Sequence, residues 1–197
     1  MRWDRETRLE TEMSLEQQIA LVRHVGPGEG SRVWTFLGDR YTVKASAAET
    51  GGRLGLMEAI VAPESGPPLH IHENEHEIFY LLDGQLEMEA NDTVFVADAG
   101  SFIFVPREAP HRFKNISNTP TRLLFLFFPG GFEQFFLDIG NPVLEGQEKP
   151  SAVQYEPDVM RVAAEYGMRA VRRPPGRTRP RRRKPVWDGA EDLMTGK

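Results

Sequence analysis

Residues 66–84, GPPLHIHENEHEIFYLLDG, decide how this chain is read. His70 and His72 stand two residues apart. On a strand that spacing points both imidazoles to one face, about 6.5–7 Å apart along the backbone, where they can converge on one ion. Five residues on, Glu77 opens an apolar run in which Glu77, Phe79 and Leu81 share one side by alternation. A hairpin returning this run beside the histidines would set a carboxylate oxygen next to two nitrogens. Residues 100–115, GSFIFVPREAPHRFKN, add His111 at the start of another strand. His70, His72, Glu77 and His111 thus make a set of three nitrogens and one oxygen. Such a set suits Fe(II), Mn(II), Ni(II), Co(II) or Zn(II) and leaves one or two positions for substrate or water.

Around this centre the chain reads as all-β. Nine runs rich in Val, Ile, Phe, Tyr and Leu alternate with turn residues: 33–37, 41–46, 54–62, 77–82, 85–90, 93–97, 101–105, 111–115 and 121–128. No helical pattern interrupts them, which excludes a parallel βαβ architecture and predicts a closed antiparallel barrel. Phe79, Leu81, Phe102, Phe104, Phe113, Phe125 and Phe127 are the candidates for its lining, while Tyr80 faces out. A short helix is expected from Ser14, where Leu15, Ile19, Leu21 and Val22 recur and Ser14 with Gln17 makes a capping box, ending at Gly26-Pro27-Gly28. Two further helices are expected over 132–139 and 157–166. The divisions that follow are 1–30, extension and arm helix; 31–130, barrel; 131–168, helical segment; and 169–197, a basic tail.

The 197 residues carry a net charge of −5, and it is unevenly spread. Eight Arg and one Lys lie between Arg169 and Lys184 without an acid; the rest of the chain has 15 basic and 29 acidic residues, near −14. The Pro- and Arg-rich tail reads as disordered. An acidic body repels phosphate, so nucleic acid is not an expected partner. Zero cysteines remove disulfides, thiol nucleophiles and thiolate metal sites, leaving His and carboxylate as ligands. The charged start, MRWDRETRLETEM, lacks the apolar stretch of a signal peptide, and no apolar run reaches the ~18 residues of a membrane span. A cytoplasmic protein is expected.

Residues 66–84 resemble the first motif of the cupin superfamily, G-x5-H-x-H-x3,4-E-x6-G, at His70, His72, Glu77 and Gly84. Residues 100–115 resemble the second, G-x5-P-x-G-x2-H-x3-N, at Gly100, Pro106, His111 and Asn115. Two positions depart: three residues rather than five separate Gly66 from His70, and Glu108 stands at the motif's inner glycine. The run PGGFEQFFLDIGNP, 129–142, is similar to the C-terminal segment of bacterial single-domain cupins related to quercetin 2,3-dioxygenase. The resemblance implies a double-stranded antiparallel β-barrel, or jelly roll, with a short N-terminal helix and C-terminal helices. It implies one divalent transition metal (Fe, Mn, Ni, Co or Zn) on His70, His72, Glu77 and His111. Glu77 would also be the catalytic base toward a flavonol hydroxyl before O2 reacts.

The expected function is that of a metal-dependent dioxygenase, an oxidoreductase acting on a small enol-, phenol- or flavonol-like molecule with O2. The alternatives are a non-redox metallocupin (isomerase, cyclase or lyase) and a small-molecule-binding module without turnover. His76 is expected as a loop residue near the pocket mouth and His24 at the surface of the arm helix. Exposed strand edges and the arm favour a homodimer.

Overall fold

The computed structural model describes residues 22–35, 38–90, 93–144 and 159–172. Among them the strands are β1 (Ser31–Trp34), β2 (Arg40–Ala45), β3 (Gly55–Val61), β4 (His70–His72), β5 (His76–Asp83) and β6 (Gln85–Ala90). They continue with β7 (Thr93–Asp98), β8 (Phe102–Val105), β9 (His111–Lys114), β10 (Thr121–Phe128), β11 (Asn141–Pro142) and β12 (Met168–Ala170). Three short helices accompany them: α1 (Ala47–Thr50), α2 (Glu133–Ile139) and α3 (Val159–Glu165). The strands pair antiparallel in two sheets, in the orders β11-β1-β2-β3-β10-β5-β8 and β12-β4-β9-β6-β7. This is the all-β jelly roll that the resemblance implies.

The two sheets close over one core by side chains. Alternation does the sorting: in β3 every second residue from Gly55 to Val61 is buried, and in β10 Thr121, Leu123, Phe125 and Phe127 point inward. Phe79 of β5 meets Phe113 of β9 edge to face at 5.9 Å, and Phe125 at 5.0 Å. Contacts of this kind join the sheets, and truncating such a buried Phe costs about 3–5 kcal/mol.

All nine expected strands exist, 85–90 and 121–128 with the expected bounds and the others with shifted ends; several features differ from expectation. The hydrogen-bond ladder does not run unbroken around a closed barrel but divides into two sheets. Glu77 and the histidines do not share a hairpin, because β4 pairs with β9 and β12 while β5 pairs with β10 and β8. Phe102 and Phe104 do not line the interior; they are 63% and 51% exposed on the outer face of the edge strand β8, where Ile103 and Val105 point in. The strand is apolar on both faces, so composition could not orient it. Helix α1 interrupts the β region at the β2–β3 turn, where the Glu49 carboxylate accepts from the Ser46 N–H at 2.9 Å. That local capping box was legible in principle.

The predicted arm helix falls largely on residues 14–21, outside the described residues. Its described end, from Val22 to Gly26, is not helical, and His24 is exposed there. Gly26-Pro27-Gly28 stops a helix at once, and Val22 is 86% exposed, with no apolar face to pack on. At the other end, regular structure passes the composition change at Arg169: β12 runs to Ala170 on the edge of β4, and Arg169 pairs with Glu73 at 2.8 Å. The remainder of the basic run, 173–197, lies outside the described residues.

The turn before β9 keeps a left-handed backbone although a glutamate occupies it: Glu108 has φ 66°. Its N–H donates to the His72 carbonyl at 2.7 Å, which ties the turn to β4. Gly66 is required for a different reason, since a Cβ there would lie 2.1 Å from the Phe113 carbonyl oxygen. Glycine relieves the αL strain at an exposed position, less its own entropic penalty. Glu108→Gly is therefore expected to gain about 0.5–1 kcal/mol, raising Tm by about 1–4 °C. A lower melting temperature in differential scanning calorimetry would contradict this.

Candidate metal centre

Both sheets supply the site. His70 and His72 are the inward residues of β4, His111 pairs with His70 across β4–β9, and Glu77 points in from β5 of the opposite sheet. All four are buried, and one donor atom from each lies within 4.8 Å of the others. Glu77 Oε2 stands 2.8 Å from His111 Nε2 and 3.3 Å from His72 Nε2, while His70 Nε2 and His72 Nε2 are 3.2 Å apart.

What aims the rings is the outer nitrogen of each imidazole. His70 Nδ1 donates to the Pro68 carbonyl and His111 Nδ1 to the Ala109 carbonyl, both at 2.9 Å. A carbonyl only accepts, so Nδ1 carries a proton in both rings; at His70 the Nε2 lone pair then faces inward, while His111 Nε2 lies against the Glu77 carboxylate. His72 differs: its Nδ1 meets the buried carboxylate of Glu75 at 2.5 Å. An imidazole fixed by an outer carboxylate is the arrangement that orients metal-ligating histidines. The sequence signal for Glu75 was its i+3 spacing from His72 in a tight turn. The donor set, the tautomers and this outer carboxylate all fit a divalent transition metal.

The same contacts set the electrostatics. Burial and the neighbouring imidazole of His111 push the His70 pKa down to about 3. Burial alone would lower His72 too, but hydrogen bonds to Glu75 and Glu77 outweigh it and raise the pKa to about 9. Burial would raise Glu77; the hydrogen bonds from His111 and His72 overcome that and hold its carboxyl well below the usual carboxylate range.

Next to this group opens a pocket of about 710 Å³ of empty space, its mouth included, with almost wholly apolar walls. Phe113, Phe125, Phe132, Phe135 and Phe136 contribute most of its rings. Phe132 packs edge-on to His72 at 4.3 Å between centroids, so the 132–136 cluster is both core and pocket wall. Val159, Met160 and Met168 complete the wall from the segment after the barrel. No motif in the sequence marked them, because only the β12–β4 pairing brings them there. His76 does not serve the mouth. It begins β5 on the outer face, stacks near Phe104 at 5.4 Å and accepts from the Arg107 N–H at 3.0 Å.

These shifts make a pH profile for the metal-free protein. His72, raised, contributes stability that is complete below its unfolded pKa near 6.5 and is lost as pH climbs toward 9. His70, lowered, gives the opposite limb: below 6.5 the unfolded chain gains a proton that the folded chain refuses. Urea denaturation with a chelator present is expected to show maximal stability near pH 6–7. Each limb should fall by up to about 1.4 kcal/mol per pH unit. Glu75→Gln should flatten the alkaline limb; stability that rises from pH 7 to 9 would contradict the assignment.

Residues 57–127 match the Cupin domain family. Over 79 residues the chain is 35% identical to an uncharacterized protein of Methanocaldococcus jannaschii, covering 40% of this chain and 63% of that protein. It is 31% identical over 125 residues to quercetin 2,3-dioxygenase of Bacillus subtilis, 64% of this chain and 36% of that enzyme. It is also 31% identical over 138 residues to quercetin 2,3-dioxygenase of Aspergillus japonicus, 66% of this chain and 38% of that enzyme. The chain thus spans roughly a third to under two thirds of the length of these relatives. Two facing antiparallel sheets, a buried His-His-Glu-His group and the family match lead to one conclusion: residues 57–127 form a Cupin domain, and the chain resembles quercetin 2,3-dioxygenase-like cupins.

Proposed function

We propose that the chain is a metal-dependent dioxygenase acting on a small enol, phenol or flavonol-like substrate, with His70, His72, Glu77 and His111 holding one divalent transition metal. The observation that carries this reading is the meeting of three imidazole nitrogens and one carboxylate oxygen at the polar end of an apolar, aromatic pocket. Similarity to two quercetin 2,3-dioxygenases over 64% and 66% of the chain supports it.

When bound, the metal supplies Lewis-acid polarisation that acidifies a coordinated hydroxyl. Glu77 is the group placed to hold the proton that leaves this hydroxyl. In the metal-free pocket the protonated His72 keeps the Glu77 carboxyl acidic. Phe113, Phe125 and Phe132 offer ring faces to a planar substrate and leave water few polar partners beside it. The outer contacts of the three Nδ1 atoms keep the rings from swinging away, which pre-pays the orientation entropy of the site.

Elemental analysis of freshly purified protein, followed by O2 uptake with flavonols and diketones, tests this reading. About one divalent ion per chain is expected, with uptake that falls at least ~100-fold in Glu77→Gln and His111→Ala. Turnover that persists without O2 would replace the dioxygenase by isomerase, cyclase or lyase chemistry. A protein that neither contains nor takes up metal would defeat the reading. The proposal includes a homodimer, supported by the open edge of β8 and its exposed Phe102 and Phe104. Light scattering on the eluting protein is expected to give twice the 22.3 kDa chain mass, and a monomer mass would contradict it.

A further inference from the structure

A second polar cluster borders the same pocket, and the chemistry at the histidines does not use it. Asp39 is a carboxylate only 1% exposed, lying just ahead of β2. Its Oδ1 accepts from the Ala62 N–H at 2.8 Å, and its Oδ2 accepts from the Ser65 hydroxyl at 2.8 Å and the Tyr41 hydroxyl at 3.3 Å. Tyr41 is buried, with its ring packed on Phe136 at 4.4 Å and on Phe125 at 6.0 Å between centroids. Asp39 and Tyr41 both line the pocket. β2 and β5 are three ladder steps apart in the sheet, yet Glu77 lines the same pocket and its charge reaches the Tyr41 phenol.

The valences of the Tyr41 oxygen say what it can recognise. A phenol has one proton to donate and two lone pairs to offer. The proton goes to Asp39. Burial first, and then the negative charge of Asp39, hold the Tyr41 pKa well above its ordinary value, so the hydroxyl stays protonated and that donation is kept. Among the described residues no group donates to the Tyr41 oxygen. As one of the residues lining the pocket, Tyr41 therefore offers a bound ligand an acceptor rather than a donor.

We propose that Tyr41, locked by Asp39, is a specificity-determining residue that selects ligands carrying a phenolic or enolic O–H remote from the group that faces the histidines. This rests on the pocket being the substrate site and deepens that reading: the substrate is an aromatic molecule with at least two oxygen functions, one at each end. An O–H satisfies the acceptor. A hydrogen or a methoxy group at that place leaves it buried and unpaired, and a site built to bond an O–H discriminates against ligands lacking it. Asp39 acts through Tyr41 and is a positioning residue.

The test measures binding of three probes, 2-naphthol, naphthalene and 2-methoxynaphthalene, to the full-length metal-loaded protein under argon, by fluorescence titration. The native protein is expected to bind 2-naphthol about tenfold more tightly than the other two. Tyr41→Phe keeps the ring against Phe125 and Phe136 and removes only the oxygen; it should bring the preference below about twofold. Equal binding of all three probes by the native protein, no binding of any, or a preference that survives in Tyr41→Phe would each overturn the proposal. If Tyr41→Phe does not fold, 3-fluorotyrosine labelling gives the second readout. The fluorine resonance of Tyr41, assigned by elimination against Tyr80, Tyr155 and Tyr166, should move with 2-naphthol and not with naphthalene. Equal movement would overturn the proposal. None of these measurements needs oxidation, so a failure of O2 uptake with flavonols would sink the dioxygenase reading and leave this result standing.

Discussion

The compensation of one buried charge organises this molecule. Glu77 lies inside the jelly roll, far from bulk water, and an ionised carboxylate there costs several kcal/mol unless it is paired and hydrogen-bonded. Its partners are imidazoles of the opposite sheet, His111 and His72. The arrangement holds only while both sheets keep their facing registers, so the site's electrostatics and the closure of the core are one problem. Each histidine in turn needs an outer acceptor for Nδ1, which two backbone carbonyls and Glu75 supply. Remove an outer acceptor and a ring rotates; remove Glu77 and the protonated His72 loses a carboxylate. The centre is over-determined from outside inward.

The surrounding fold turns that centre into a pocket. A conventional two-sheet core would fill the space beside His70 and His72 with side chains. Here Phe132 and Phe136 of the α2 region, with the α3–β12 segment, stand off as walls. The β12 strand has a double role: it covers the edge of β4 and carries Met168 to the pocket. An edge strand with three residues would otherwise be exposed to fraying beside the most demanding chemistry in the protein. Two polar ends in an apolar cavity, the histidine group and the Tyr41–Asp39 pair, give a bound molecule an orientation rather than mere residence.

Much of the fold was legible before any coordinates. Period-two alternation found nine strands, since one buried face demands it, and Glu77, Phe79 and Leu81 do share the inner face as alternation requires. Legibility failed wherever alternation carried no information. Strand β8 is apolar on both sides, so Phe102 and Phe104 read as lining when they are surface. Strands β4 and β12 have three residues each, too few for a period-two run to show, so neither was among the nine expected strands. The tight turn holding Glu108 kept its left-handed backbone without the expected glycine, because the hydrogen bond to the His72 carbonyl and the pairing of β9 over-determine it.

Residue type and spacing alone determined which chemistry was available: no cysteine, two histidines two apart, a glutamate five further on, and a third histidine with a strand of its own. These are local facts, written in the order of the chain. Tertiary structure decided that Glu77 arrives from the opposite sheet instead of a neighbouring hairpin strand, that Glu75 rather than solvent accepts the His72 Nδ1 hydrogen bond, and that Met168 and Tyr41 line the same cavity. The physical reason is that strand pairing and sheet closure join residues tens of positions apart, and that long-range geometry has no signature in the periodicity of any single segment.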